Sequence, residues 1–282
     1  MPRLLTRAAP VLDQAFELNR DSMQARGLRA WWPTVASRGA GTLRDLSNRG
    51  YAGTLTGPLW TPDPLTGATL DFDNTDDYVN LGDSTTVVTT GQPFTLAWWE
   101  RVKAGSGVYP SRFRLPISGG TEAFAVLRSS DAAYERLAFG KANSTNTVFR
   151  LMGAPTLAAS VDIWYLWTLV GRVGPEDVGT AANWAAYVNG ASYTVEANTT
   201  FGSFGNTIAR IGYDGADNAA NCQMADIRIY DRPLSAAEVW QLWAPQTRWE
   251  LYRPAKRRTW ILPAGAAGGA LPARRALLGV GV

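Results

Sequence analysis

From Gly27 to about Pro245 the chain is built of short apolar runs punctuated by Gly, Pro, Asn, Asp and Thr, the texture of antiparallel strands joined by turns. In Pro93-Phe94-Thr95-Leu96-Ala97-Trp98-Trp99-Glu100, Phe94, Leu96 and Trp98 alternate with Thr95, Ala97 and Trp99, which predicts a strand burying the first set on one face. The run from Trp164 to Val173 is too uniformly apolar for a solvated edge and predicts a central strand. Trp184 to Val188, then Asn189-Gly190, then Tyr193 to Val195 predicts a hairpin, because Asn-Gly accepts the positive φ angles of a type I′ turn. Helical signal comes late: Ser235-Ala236-Ala237-Glu238 is a capping box ahead of Val239, Leu242 and Trp243, and predicts a helix of two turns. No repeat with a period of tens of residues is visible, which disfavours a propeller or solenoid. The expected fold class is all-β: a two-sheet antiparallel β-sandwich of jelly-roll type with one short C-terminal helix and terminal extensions.

Those extensions divide the chain into an arm at 1–26, a β-sandwich at 27–245 and a tail at 246–282. The arm reads as an appendage, a short helix or a segment laid on a neighbour. The tail carries a net charge of +6, leaving −3 for everything before it, and runs from aromatic-basic residues into the Gly/Ala-rich stretch Ala264 to Leu271. That composition predicts a segment that orders on a partner, so the domain ending at Pro245 is expected to fold without it.

The 282 residues include no histidine, which excludes Ser-His-Asp, Cys-His and HExxH chemistry. The lone Cys222 excludes an intramolecular disulfide and a CxxC metal site, and a free thiol suits a reducing cytoplasm. With 46% hydrophobic and 18% charged residues the chain is neither disordered nor membrane-spanning in composition. Arg7 and Pro10 interrupt the apolar start and no signal-peptide core follows, while Ala276 to Val282 is far too short to cross a bilayer.

Four segments, in order, resemble the concanavalin A-like, laminin-G-like jelly-roll family of lectins, extracellular modules and bacteriophage structural proteins. They are Gly27 to Pro33; Asp45 to Leu55 with Gly67 to Val79; Phe94 to Trp99 with the Trp164 strand and Tyr187 to Gly190; and Ile211-Gly212 with Met224 to Glu238. The resemblance implies the sandwich and, through its loops, calcium. Where the family commonly has Gly and Asn after Asp45, this chain has Asn48, Arg49 and Tyr51, and Ala225-Asp226 stands where a pair of acids is usual. Both departures weaken inherited calcium ligation and leave Asp45 and Asn48 as the candidate ligands, against the alternative of solvated turn residues.

The densest acidic run, Asp71 to Asp77, tempts a glycosidase reading, since paired carboxylates can protonate and attack a glycosidic bond. The resemblance argues for a turn instead. Related glucanases place acids as Glu-x-Asp-x-(x)-Glu, a spacing absent among the eight glutamates here. Asp226 and Arg228 fall on one strand face, where an ion pair or a turn hydrogen bond is expected. Most of the 12 Trp, including Trp31, Trp98 and Trp164, are expected in the core. Tyr213, Asp214, Asp217 and Asn218 form a candidate rim site for a ligand, with a polar loop as the alternative. In the tail, Arg248, Trp249, Tyr252, Arg253, Lys256, Arg257, Arg258 and Trp260 are the candidate partner anchors, since Arg and Trp dominate interface hot spots. The mildly acidic domain argues against nucleic acid.

The run Trp249 to Arg258 is similar to what phage-encoded members of the family carry. The resulting expectation is a noncatalytic virion structural protein of a tailed phage, a capsid decoration or head-fibre subunit made in the host cytoplasm without a signal peptide. Its partners would be other virion proteins, the major capsid protein or fibre and tail subunits, in a homo-oligomer for which a trimer is the candidate. No cofactor is required, and calcium is optional. The alternative is a carbohydrate-binding adhesion module of a tail fibre or a bacterial protein, with host glycans as ligands.

Overall fold

The computed structural model describes residues 15–82, 87–103, 111–117, 123–131, 134–142, 147–152, 162–200, 209–212 and 219–255. The strands of the first half are β1 (Phe16–Leu18), β2 (Leu28–Trp32), β3 (Thr42–Leu43), β4 (Gly53–Thr56), β5 (Leu59–Asp63), β6 (Gly67–Asp73), β7 (Tyr78–Gly82), β8 (Phe94–Val102) and β9 (Ser111–Pro116). Then come β10 (Ala123–Asp131), β11 (Tyr134–Ala142), β12 (Thr147–Met152), β13 (Trp164–Gly171), β14 (Trp184–Val188), β15 (Ala191–Tyr193), β16 (Val195–Thr200), β17 (Ala209–Ile211) and β18 (Asn221–Tyr230). Helix α1 (Ala236–Trp243) and β19 (Tyr252–Pro254) follow.

One sheet has the order β16-β12-β11-β10-β9-β17-β7-β4-β3, and the other β15-β14-β13-β8-β18-β6-β5. In the second sheet β18 pairs with β6 over Asn221 to Met224 and with β2 over Ile227 to Tyr230. The switch falls at a bulge between Ala225 and Arg228, where Asp226 takes a φ of 47°. A bulge adds one residue to a face, so Met224 and Ile227, three apart, both enter the core between the sheets.

That core holds Trp32, Phe72, Leu96, Trp98, Phe113, Phe124, Trp167 and Leu169, and each fully buried apolar side chain contributes about 1.5–3 kcal/mol. It is the side of β8 that the alternation of Phe94, Leu96 and Trp98 predicts. The Asn189-Gly190 turn has φ of 52° and 79° and joins β14 to β15 in register, as expected of a type I′ hairpin. At α1 the Ser235 hydroxyl accepts from the Glu238 N–H at 3.3 Å while the Glu238 carboxylate accepts from the Ser235 N–H at 2.9 Å, so the capping box is closed in both directions.

Two expectations need correction. Trp164 is not core: β13 turns Trp167 and Leu169 inward and leaves Trp164 half-buried on the outer face of its sheet. Residues 246–255 are not a tail awaiting a partner either. Trp249, Leu251 and Tyr252 pack with Trp31, Trp99, Leu166 and Tyr230 on that same outer face, and β19 pairs with β1, so the arm and the start of the tail form one ribbon on the sheet. The physical reason is mutual cover: half of the outer face of the sheet is apolar, and so are Phe16, Leu18, Trp249, Leu251 and Tyr252.

Candidate functional site

A buried polar cluster fastens the terminal ribbon. At the bulge, Asp226 Oδ1 accepts from Trp31 Nε1 at 2.7 Å and from the Tyr252 hydroxyl at 3.0 Å, and Oδ2 pairs with the Arg228 guanidinium. Arg228 then donates to Gln24 Oε1 at 2.7 Å and to the Arg248 carbonyl at 2.9 Å. Gln24 in turn donates to the carbonyls of Thr247 and Gln241. Burial alone would lower the Arg228 pKa, but Asp226, with Tyr230 and Tyr252, raises it above the ordinary value, so the cation is permanent. The ion pair expected on this strand face is present, and it ties together three segments that are distant in sequence.

The ribbon brings both flanking segments to one place. The Ala255 N–H donates to the Ala15 carbonyl at 2.9 Å, so residues 1–14 and 256–282 continue from adjacent points. Beside that point lies a groove of about 240 Å³ lined by Phe16, Glu17, Leu18, Arg20, Leu46, Asn48 and Arg253. Here two residues singled out for different reasons, Asn48 and Arg253, meet. Arg253 pairs with Glu17 at 3.0 Å and with Asp21 at 3.2 Å and stays substantially exposed.

The other expected anchors divide. Trp249 is 1% exposed and Tyr252 6%, so both serve the chain itself, and Arg248 turns its guanidinium over the rings of Trp99 and Trp249. These three are corrected from partner anchors to internal packing. Lys256, Arg257, Arg258 and Trp260 lie outside the described residues, as do Tyr213, Asp214, Asp217 and Asn218.

The calcium expectation at Asp45 meets a different use of its carboxylate. Oδ1 accepts from the N–H groups of Trp31 and Ser47, and Oδ2 from the Ser47 hydroxyl and the Tyr51 N–H. Asn48, with a φ of 68°, makes the turn inside this loop. A carboxylate already held by three backbone N–H groups, with the Ser47 hydroxyl placed between it and the Arg29 carbonyl, shapes a loop and does not fit a metal centre, so Asp45 and Asn48 are corrected to loop-forming residues.

The acidic run does form the β6–β7 turn. Asp73, Asp76 and Asp77 bring carboxylate oxygens within 4.8 Å of one another, Asp77 Oδ2 accepts from the Asp73 N–H, and the Asn74 N–H donates to the Ala220 carbonyl. Burial, with the neighbouring Asp73 and Asp76 charges, pushes Asp77 up to about 6. Three carboxylates supply about half of the oxygens calcium takes, and the most buried of them holds its proton more tightly than usual. No cofactor is indicated by these groups.

The buried Glu100 carboxylate has a structural use: Oε1 accepts from Arg112 Nε at 2.7 Å and Oε2 from Trp98 Nε1 at 3.0 Å, with both charged groups sealed from solvent. Among the described residues no helix is long and apolar enough to cross a membrane.

Two stacked antiparallel sheets with a bulged central strand and a short capped helix at the end define a lectin-like β-sandwich. The chain belongs to the concanavalin A-like lectin/glucanases superfamily, whose model matches residues 73–240. A search of curated proteins finds no match. Among solved structures it is similar to domain 4 of AbnA, a GH43 extracellular arabinanase from Geobacillus stearothermophilus, in complex with arabinotriose. That likeness has 13% identity and a TM-score of 0.50, covering 77% of this chain and 98% of that one. It is also similar to Trypanosoma rangeli sialidase in complex with the inhibitor DANA, at 14% identity and a TM-score of 0.49, over 76% of this chain but 32% of the sialidase. A third is the binding domain of Paraclostridial mosquitocidal protein 1, at 13% identity and a TM-score of 0.49, covering 78% of this chain and 52% of that one. At these identities the likeness concerns the fold.

Proposed function

We propose that this chain is a noncatalytic structural subunit of a tailed-phage virion, a capsid decoration or head-fibre protein that displays its sandwich outward and is attached by its flanking segments. The observation that carries the reading is the convergence of the two flanks at the Ala15–Ala255 pair. Residues 1–14 and 256–282 together hold a net charge of +6 against −3 for 15–255, so the basic character belongs to the two flanks. The virion element rests on the similarity of the aromatic-basic run to those of phage-encoded members. Its partners are other virion proteins in a homo-oligomer, a trimer being the candidate.

The noncatalytic element is supported by the chemistry at hand. Histidine is absent from the sequence, the glucanase spacing of acids is absent too, and Glu100 is held by Arg112 and Trp98. The reading requires no cofactor.

A second reading, carbohydrate recognition by an adhesion module, is favoured by one feature: part of the outer sheet face is left uncovered by the ribbon and carries polar and aromatic side chains. The attachment reading is tested by a chain reduced to residues 15–255, without either flank. It should fold and yet be missing from purified particles that incorporate the full chain; normal incorporation would overturn attachment by the flanks.

A further inference from the structure

On the first sheet Leu43, Val79, Leu81, Phe113, Leu115 and Ile211 turn into the core, so the residues that alternate with them form its outer face. Strand register sets a polar row across that face: Thr42 opposite Thr54, Thr54 opposite Asn80, Asn80 opposite Arg210, and Arg210 opposite Arg114. Directly paired residues share a face, so these side chains stand side by side across β3, β4, β7, β17 and β9, at about 4.8 Å per strand. Thr42 and Thr54 are exposed, Asn80 and Arg210 are half-buried, and Arg114 is buried and already engaged.

Arg210 differs from the other arginines of the fold. Arg101, Arg112, Arg228, Arg232 and Arg253 each have a carboxylate partner, whereas Arg210 makes no ion pair and no hydrogen bond among the described residues. Its guanidinium lies 4.3 Å from the centre of the Tyr78 ring, which draws it over β7, beside Asn80. Its Nε is sealed from solvent, while Nη1 and Nη2 reach the surface. Asn80 Oδ1 accepts from the Gly82 N–H at 2.8 Å, and this leaves the Nδ2 amide of Asn80 as an open donor next to Arg210. One strand further on, the exposed Thr54 hydroxyl is open as well. A half-buried cation with no counter-charge, flanked by open donors, is an arrangement that an anion completes.

We propose that Arg210, Asn80 and Thr54 form a binding site for a phosphate group, free or carried as a monoester. The guanidinium edge matches two phosphate oxygens with parallel hydrogen bonds, and the Asn80 amide serves a third. A phosphate monoester supplies three strong acceptor oxygens and a charge of about −1.5 to −2, so it uses the whole set of donors. A carboxylate, with two oxygens and a single charge, satisfies the guanidinium alone. Stacking on Tyr78 holds the Arg210 side chain in place before a ligand arrives, which reduces the ordering cost of binding. The site lies on the sheet opposite the terminal ribbon and rests on neither the attachment reading nor the carbohydrate reading.

The test is calorimetric titration of the full chain with inorganic phosphate, O-phosphoserine and acetate, at low ionic strength and about pH 8, where phosphate is a dianion. Inorganic phosphate should saturate, and acetate should bind about tenfold or more weakly. Asn80→Asp keeps the acceptor for the Gly82 N–H and sets a carboxylate in place of the amide, so it should fold and yet weaken phosphate binding about tenfold or more. Arg210→Gln should weaken it as much, and Arg26→Gln, at an exposed arginine just before β2, should leave it unchanged. O-phosphoserine binding as tightly as phosphate would assign the site to a monoester, and its rejection would assign it to the free ion. Failure of phosphate to saturate, saturation indifferent to both Asn80 and Arg210, or acetate binding as tight as that of phosphate would overturn the site.

Discussion

Asp226 combines three features seldom found together: a left-handed backbone at a bulge, burial, and a full set of donors from Trp31, Arg228 and Tyr252. Removing one partner of a buried pair leaves an uncompensated charge, so Asp226→Ala should cost about 3–5 kcal/mol in urea unfolding, and adding Arg228→Met should recover much of it. A loss below about 1 kcal/mol would contradict the clamp. Asp77 gives a pH signature. Its folded pKa, raised from 3.8 to about 6, means that the folded chain binds more protons than the unfolded one between those values, so this group lowers stability as pH rises from about 4 to 6. Glu238 has the opposite sign: Arg232 and the Ser235 cap hold it at about 2, and that stabilisation is lost as pH falls from 4.5 through 2. Thermal melts of Asp77→Asn should therefore match the parent near pH 4 and exceed it near pH 7; identical pH profiles would contradict the assignment. The Asp226–Arg228 pair was legible in the sequence because alternation puts the two on one face. Its extension to Gln24, Arg248 and Tyr252 was not, because no local pattern encodes contacts to residues 204, 20 and 26 positions away.

At the level of elements, local chemistry was the most readable. The Asn189-Gly190 turn and the Ser235 capping box each carry their geometry within four residues, and both are present. The ribbon was hidden for the converse reason. β1 and β19 are three residues each, too short for a period, and their stability comes from Phe16, Trp31 and Trp249 packing tilted or edge to face on Tyr252. Trp249 and Tyr252 had the composition of interface anchors, and the interface they make is internal. Trp164 misled similarly, since a uniformly apolar run does not say which alternate residues face out. A chain cut after Pro245 loses Trp249, Leu251 and Tyr252 together and should be destabilised by roughly 5 kcal/mol or more, most of a typical domain's stability. One cut after Ala255 should unfold like the full chain in guanidinium. Equal stability of the two truncated chains would show that the ribbon is not part of the folded unit.

For the molecule as a whole, the sandwich and its family were legible from four ordered segments, and the family model and the two sheets agree. The candidate site was less so: the rim residues Tyr213 to Asn218 lie outside the described residues, and the polar row on the outer sheet face depends on register between strands far apart in sequence. What the structure adds is an asymmetric plan. A mildly acidic sandwich is partly covered on one face by its own ends, and its basic flanks continue from a single point. Such a plan suits the proposed display from a surface. The most direct measurement is mass spectrometry of density-gradient-purified particles from the source culture, scoring this chain against the major shell protein. Co-sedimentation at a fixed copy number is the predicted result, hundreds per particle for a decoration subunit and a few for a head fibre; absence of the chain from the particles would contradict the virion account.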